Sequence, residues 1–293
     1  MAEKIEVTQV DDAKAKKKTS LETGEAFIGK DILELISVSM YVEPLTLYRE
    51  YIQNAADSID QAVENGLLPT MADGEIRVEV RQAERTIRII DNGEGISRKR
   101  FLDLMLSFGA SIKRGTKARG FRGVGRFSGL GYCRKLIFRT KSAKETYVSE
   151  VIWDGQLLKR LLADNSSPLS INELVKQVAQ FHEYESGGIQ EHFFEVELQS
   201  VVRLGNDVLL NETAVESFIS QTCPVPYSPK FSLKGELEAL LRKQKICTGY
   251  KLTLADDFND ARLIFRPYRD QFKLSENESD EITGIDYFEI DGV

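Results

Sequence analysis

The amino-acid sequence predicts an α+β sandwich, with one mixed sheet and helices on one face. Helical and strand-like patterns alternate along the chain. Two neighbouring strand-like runs, GEIRVEVRQ and RTIRIIDNG, are separated by a short polar turn, which is typical of an antiparallel hairpin. With 293 residues, 42% of them hydrophobic, the chain can bury a sizeable core in one large domain or two smaller ones.

The helices and strands follow from the spacing of apolar residues. A helical pattern starts at residue 31 and Pro44 interrupts it, so two helices are predicted, the second over 44–64 with Gly66 as its stop. Further helices are predicted at SRKRFLDLMLSF, GRFSGLGYC, INELVKQVAQF, ETAVESFISQ and KGELEALLRKQK. Further strands are predicted at KLIFRTKS, TYVSEVIWD, HFFEVELQSVV, YKLTL and ARLIFRPY.

Changes in character along the chain predict three regions. Residues 1–20 are polar with a small lysine cluster, and we expect a flexible, solvated tail rather than a nucleic-acid contact. Residues 21–229 form the main predicted domain, and residues 230–293 begin a second α/β domain. The final residues, YFEIDGV, have the pattern of a strand that is just beginning, so we expect the chain to be truncated there.

Composition and charge narrow the class of protein. The net charge of −7 argues against a DNA-coating protein but does not exclude a local basic groove. No apolar run approaches the ~20 residues of a membrane helix, and the N-terminus has no apolar core of a secretory signal. Cys133, Cys223 and Cys247 are widely spaced and form no metal pattern, so we expect reduced, mostly buried thiols in a cytoplasmic protein.

The segment LYREYIQNAADSID places polar groups on one face of a predicted helix. Glu50, Asn54 and Asp57 follow the i, i+4, i+7 spacing. A carboxylate there can accept a proton from water, and a carboxamide oxygen suits Mg²⁺, which keeps few protein ligands. An ordinary polar helix face is the alternative interpretation of this segment taken alone.

The segment IRIIDNGEGIS runs from an apolar strand into Asp91, followed by Gly93 and Gly95. An aspartate at a strand end can accept a hydrogen bond from the exocyclic amine of adenine, whereas guanine carries an oxygen at that position. A simple turn with an Asn-Gly signal is an equal alternative for this segment alone.

The segment RGFRGVGRFSGLGYC, residues 119–133, contains five glycines and three arginines. Gly120, Gly123 and Gly125 form a GxxGxG pattern that precedes a predicted helix. No strand of a βαβ unit precedes it and no GK[ST] follows, so neither a dinucleotide fold nor a Walker loop is predicted. A glycine loop that leads into a helix presents amide groups to phosphate, and Lys113 with the arginines adds positive charge.

Together, the three segments resemble the nucleotide site of the GHKL ATPase superfamily, which has a Bergerat-type α/β sandwich. The superfamily includes type II topoisomerase ATPase subunits, ninety-kilodalton heat-shock chaperones, histidine kinases, MutL proteins and the MORC group. The segments correspond to its N box, G1 box, and G2 box with lid. The motif match covers residues 47–133, and a looser likeness, nearest to chaperone-, MutL- and MORC-type members, continues to about 229.

The resemblance implies a role for each matching residue. Glu50 would be the general base that orients the attacking water, and Asn54 would hold Mg²⁺ against the phosphates. Asp91 would bind the adenine amino group, with Gly95 making room for the base. The implied nucleotide-binding residues are Asn54, Asp57, Asp91, Gly93, Gly95, Ile96, Ser111, Lys113, Gly120, Phe121, Arg122, Gly123, Val124 and Gly125.

The resemblance also implies an activity: Mg²⁺-dependent hydrolysis of ATP to ADP and phosphate by an ATP-driven clamp, whose lid closure is coupled to homodimerisation. The alternative is a nucleotide-sensing or chaperone-like binding module with little hydrolysis. A histidine kinase is rejected because His182 and His192 are expected to be surface or structural residues. DNA, a client protein and a partner enzyme all remain open as partners, and no membrane is expected.

Two features of the superfamily are not evident. The region SGGIQEHFFEVEL lacks the threonine that members carry before the last part of the site. Residues 231–293 show no motif for the lysine that a transducer or middle domain supplies, although Lys251 is one candidate.

Overall fold

The computed structural model describes residues 43–106, 125–163, 171–188, 192–244, 246–268, 271–273, 279–281 and 284–285. The predicted tail, the helix predicted from residue 31 and residues 119–124 of the glycine-rich segment lie outside these ranges. Within them, no helix combines the length and the apolar character needed to cross a bilayer.

Six α-helices are present in the described parts of the chain. They are α1 (Thr46–Glu64), α2 (Arg98–Leu106), α3 (Gly155–Ala163), α4 (Ile171–Val178), α5 (Glu212–Thr222) and α6 (Lys234–Lys243). Short 3₁₀ helices are formed by Met71–Asp73, Gly125–Gly131 and Gly205–Leu210. Helix α1 thus confirms the helix predicted over 44–64.

The strands form one large sheet and one small ribbon. They are β1 (Glu75–Arg81), β2 (Thr86–Asp91), β3 (Lys135–Lys141), β4 (Tyr147–Asp154), β5 (Ala179–Glu185), β6 (Phe193–Gln199), β7 (Lys251–Ala255), β8 (Arg262–Leu263), β9 (Gln271–Lys273) and β10 (Ser279–Glu281). Eight strands pair in the order β5-β4-β3-β6-β2-β1-β7-β8, while β9 and β10 pair separately. The β1–β7 pairing is parallel and the others are antiparallel, so the predicted mixed sheet and α+β class are confirmed.

One face of the sheet packs against the helices. In β2, Ile87, Ile89 and Asp91 alternate with more exposed residues and are all buried. Helix α1 packs against β1 and β2 and buries its apolar side, including Ile52 and Ile59. The strand alternation therefore directs Asp91 to the helix-covered face.

The other face carries ion pairs. Arg139 on β3 contacts Glu150 Oε2 at 2.6 Å, Glu195 Oε1 at 2.6 Å and Glu197 Oε2 at 2.5 Å. Glu150 and Glu195 lie directly opposite Arg139 on the two neighbouring strands. Arg88 on β2 adds a 3.0 Å contact to Glu195 Oε2. Opposite charges at cross-strand positions thus pair on this face of the sheet.

One local prediction was wrong at its end, and one helix was not predicted. The helix predicted over INELVKQVAQF ends at Val178, and Ala179–Glu185 instead forms edge strand β5, which pairs with β4. Helix α3 was not predicted, although Asp154 accepts a hydrogen bond from the Leu157 amide at 2.7 Å in the manner of an N-cap. Sheet pairing overrides helix propensity in the first case because it supplies long-range backbone hydrogen bonds.

The sheet also runs past residue 229, where the sequence placed the end of the first domain. Strand β7 pairs in parallel with β1, with Leu252 opposite Ile76 and Leu254 opposite Val78. These side chains are buried in the same core as helix α1. Residues 251–263 therefore contribute two strands to the sheet formed by the preceding segments.

Candidate functional site

Glu50 and Asn54 lie one turn apart on α1, on the side of the helix that is only half-buried. Buried neighbours such as Tyr51, Ile52 and Ala55 fix the helix against the core, which leaves the two polar side chains at its edge. The side chain of Glu50 is 31% exposed, and its Oε1 atom lies 3.5 Å from the Arg49 guanidinium.

Glu50 meets the end of the glycine-rich segment. Gly125, the first residue of the 3₁₀ helix Gly125–Gly131, lies so close to Glu50 that a Cβ at position 125 would overlap Oε2. A larger residue at position 125 would displace the Glu50 carboxylate from its position against this backbone. The structure thus brings together two predicted site residues that are far apart in sequence.

Asp91 occupies the end of β2 and is 3% exposed. Its Oδ1 atom accepts a hydrogen bond from the Gly93 amide at 3.0 Å, and the Ser58 side chain of α1 is a second partner. Burial raises the pKa of Asp91 to about 7, against the opposing effect of these hydrogen bonds. A buried carboxylate of this kind gains from a further hydrogen-bond donor that stabilises its charged form.

The loop after Asp91 is held by the adjoining strands. Gly95 has φ +66°, and a Cβ there would overlap the Lys141 carbonyl oxygen. The Ile96 amide donates to Thr140 Oγ1 at 2.9 Å, and that hydroxyl donates to the Phe193 carbonyl oxygen at 2.9 Å. Thus β3 and the start of β6 set the path of the loop.

A buried histidine also contacts this loop. His192, 8% exposed, places Nδ1 in hydrogen-bonding contact with the Gly93 carbonyl oxygen. Of the two roles expected for this residue, surface or structural, its burial and this contact correspond to the structural one.

Sequence reasoning missed Ser58, Thr140 and Tyr51 as residues that hold the site together. Ser58 follows Asn54 by one helical turn, a spacing that could have identified it. Thr140 lies on β3, opposite Phe194 of β6. The threonine hydroxyl that contacts the loop after Asp91 therefore belongs to β3 and not to the segment SGGIQEHFFEVEL. Only strand pairing reveals that relation.

The remaining predicted residues are distributed as follows. Asp57 is buried on α1, with 6% of its surface exposed. Lys251 is the first residue of β7, and its Nζ atom lies 3.3 Å from Glu75 Oε1. Arg126 packs over the Phe127 ring at 4.9 Å, and burial lowers its pKa to about 10, so the guanidinium remains charged at neutral pH. Outside the described residues lie Ser111, Lys113, Arg119, Gly120, Phe121, Arg122, Gly123 and Val124.

The described donors suit a metal that takes few protein ligands. No cluster of three or more His, Cys, Asp or Glu side chains with metal-site geometry occurs in the described residues. The half-buried Asn54 carboxamide, one turn from the Glu50 carboxylate, offers a single hard oxygen. Mg²⁺ commonly binds in this way and shares its remaining positions with phosphates and water.

Comparison with known proteins identifies similar sequences. Residues 47–187 match the family described as histidine kinase-, DNA gyrase B- and HSP90-like ATPase. The chain is 25% identical to chaperone protein HtpG of Enterobacter sp. (strain 638) over 265 residues, which cover 84% of the chain and 37% of the relative. It is 29% identical to HtpG of Klebsiella pneumoniae over 229 residues, which cover 71% and 32% respectively. The chain thus spans about a third of the length of these curated relatives.

Proposed function

We propose that this chain, whose residues 47–187 match the histidine kinase-, DNA gyrase B- and HSP90-like ATPase family, binds ATP along α1 and hydrolyses it with Mg²⁺ as part of a dimeric clamp. The main support is the arrangement of contacts along one helix. Glu50 touches Gly125 near the start of α1, and Ser58 reaches Asp91 two turns later, about 12 Å along the axis. This arrangement suits a ligand with a base at one end and phosphates at the other.

At the base end, Asp91 would accept a hydrogen bond from the adenine amino group. A carboxylate has about four acceptor positions, and Gly93 and Ser58 use two of them. Burial removes competing water, so an exocyclic amine gains a strong hydrogen bond, whereas the carbonyl oxygen of guanine would face a carboxylate. Glycine at position 95 lets the loop pack against the Lys141 carbonyl oxygen of β3, and the base would lie beside this loop.

At the phosphate end, Glu50 would orient the attacking water and receive its proton. Gly120, Gly123 and Gly125 would wrap the phosphates with backbone amides, and Lys113 would add positive charge. Asn54 would hold Mg²⁺, and the ion would supply positive charge beside the phosphates. Phosphoryl transfer depends mainly on positioning and charge neutralisation, which these groups would supply.

A nucleotide sensor with little hydrolysis is the second candidate, and the Arg49–Glu50 ion pair at 3.5 Å favours it. An ion pair that occupies Glu50 would compete with the attacking water. Glu50→Gln separates the two functions: an ATPase loses hydrolysis but retains ATP binding, whereas a sensor shows the same low turnover in both forms. Glu64→Gln, at the exposed end of the same helix, is the matched control.

For the clamp, we propose that ATP binding drives formation of a homodimer. The names of the relatives favour a client protein as the substrate, and the net charge of −7 agrees with this choice over nucleic acid. The three cysteines are free, and Cys133 and Cys223 are buried, which supports a reducing, cytoplasmic location.

The proposal is tested by light scattering after size exclusion, with Mg²⁺ and a non-hydrolysable ATP analogue, on wild type and Asp91→Asn. We expect the analogue to convert monomer to dimer in wild type only. Binding without a change in mass would contradict the clamp and leave a nucleotide-binding module. Absence of binding in wild type would contradict the ATP site itself.

A further inference from the structure

Tyr51 connects the helix that carries Glu50 to the turn that contacts Glu50. Its side chain is 2% exposed. The hydroxyl donates a hydrogen bond to the Arg126 carbonyl oxygen at 3.0 Å and accepts one from the Gly129 amide at 2.9 Å. One phenol group therefore joins α1 to two backbone positions of the 3₁₀ helix Gly125–Gly131.

The Tyr51 hydroxyl is uncharged and links α1 to this turn through hydrogen bonds. Burial raises the pKa of Tyr51 far above the physiological range, so the phenol keeps its proton and donates it to the carbonyl. Gly129 is buried, and a Cβ there would lie 2.6 Å from the Tyr51 oxygen. The Gly129 backbone can lie this close to the Tyr51 hydroxyl because residue 129 has no Cβ, and the hydrogen bond between the two groups holds it there.

Adjacent residues of a helix point about 100° apart, so Glu50 and Tyr51 contact the same turn from different sides. Glu50 lies against Gly125 at the half-buried edge of α1, and Tyr51 holds Arg126 and Gly129 from the core side. The backbone that borders the Glu50 carboxylate is thus held in place by the residue next to it in sequence.

We propose that Tyr51 is a positioning residue, which fixes the 3₁₀ helix Gly125–Gly131 against α1 and so holds Glu50 in the geometry required for hydrolysis. The proposal rests on the proposed ATPase function. Tyr51 acts through the two backbone groups of this segment that its hydroxyl contacts.

Tyr48 provides a matched control on the same helix. It is fully buried, and its hydroxyl donates to the Leu209 carbonyl oxygen at 2.6 Å. Tyr48→Phe therefore removes a buried hydroxyl–carbonyl hydrogen bond from α1 without affecting the turn beside Glu50. A comparison of the two variants separates positioning of the site from general loss of stability.

The experiment measures steady-state ATP hydrolysis, affinity for a non-hydrolysable ATP analogue and amide hydrogen exchange in wild type, Tyr51→Phe, Tyr48→Phe and Glu50→Gln. We expect Tyr51→Phe to lower kcat by about tenfold or more, since small misplacement of a reacting group has large effects. Analogue affinity should stay within about threefold, and amides of residues 125–131 should exchange faster. Tyr48→Phe should retain kcat within about twofold and affect residues 205–210 instead.

Two outcomes would overturn the positioning role alone: wild-type kcat in Tyr51→Phe, or equal loss of kcat in both tyrosine variants. A third outcome concerns the proposed function. If wild type hydrolyses no more ATP than Glu50→Gln, the ATPase assignment fails and the positioning role fails with it. The Glu50→Gln rate thus shows which of the two proposals has failed.

Discussion

Replacement of Asp91 by Asn should make the nucleotide-free fold more stable at pH 8 while it abolishes nucleotide binding. Asp91 is buried, and its pKa rises from an ordinary 3.8 to about 7 in the folded chain. The folded state therefore holds the proton more tightly than the unfolded state, and stability falls as pH rises between these values. Asn has the same shape, stays neutral and keeps an oxygen for the Gly93 amide.

The magnitude follows from the two pKa values. A difference of about three decades in proton affinity corresponds to roughly 4 kcal/mol lost once Asp91 is fully ionised. At pH 5, Asp91 is already mostly ionised in the unfolded chain but still protonated in the folded chain, so part of this free energy of unfolding has been lost by then. The further loss between pH 5 and pH 8 is therefore smaller, about 2–3 kcal/mol. Asp91→Asn should avoid this loss, so its advantage over wild type should grow by that amount between the two pH values.

Urea denaturation of wild type and Asp91→Asn at pH 5 and pH 8, without nucleotide, measures this difference. Asp103→Asn, on the exposed side of α2, controls for removal of a surface carboxylate and should change little with pH. Parallel loss of stability in wild type and Asp91→Asn would refute the reasoning, because it would show that the buried carboxylate carries no cost of ionisation.

Two further predictions test the surroundings of the site and the opposite face of the sheet. Gly125→Ala places a methyl group against the Glu50 carboxylate, so we expect kcat for ATP to fall by about tenfold or more while the melting temperature changes little; an unchanged kcat would show that this contact is not needed. Arg139→Ala leaves three carboxylates without their common partner in a partly buried cluster. We therefore expect the free energy of unfolding, measured by urea titration, to fall by about 3–5 kcal/mol. The loss should be smaller for Arg139→Met. A loss below about 1 kcal/mol for Arg139→Ala would indicate that solvent already screens the cluster.

Local sequence patterns predicted the elements whose stability depends on their own periodicity. Helix α1 and the hairpin of β1 and β2 lie where apolar spacing and turn residues placed them. The edge strand β5 was not predicted, because the helical spacing of apolar residues in INELVKQVAQF continues into residues that pair with β4. The parallel addition of β7 to β1 was also not predicted, since the two strands are separated by most of the chain.

For the site, the sequence by itself determined the chemical groups: a carboxylate and a carboxamide one turn apart, an aspartate at a strand end, and glycines that lead into a turn. Only the tertiary structure decided which of these groups meet and how far each is buried. Glu50 lies against Gly125, and Ser58 reaches Asp91, because α1 packs between the sheet and the turn. Burial and proximity are set by residues far apart in sequence, so the raised pKa of Asp91 and the hydrogen bonds of Tyr51 could not be inferred from local patterns.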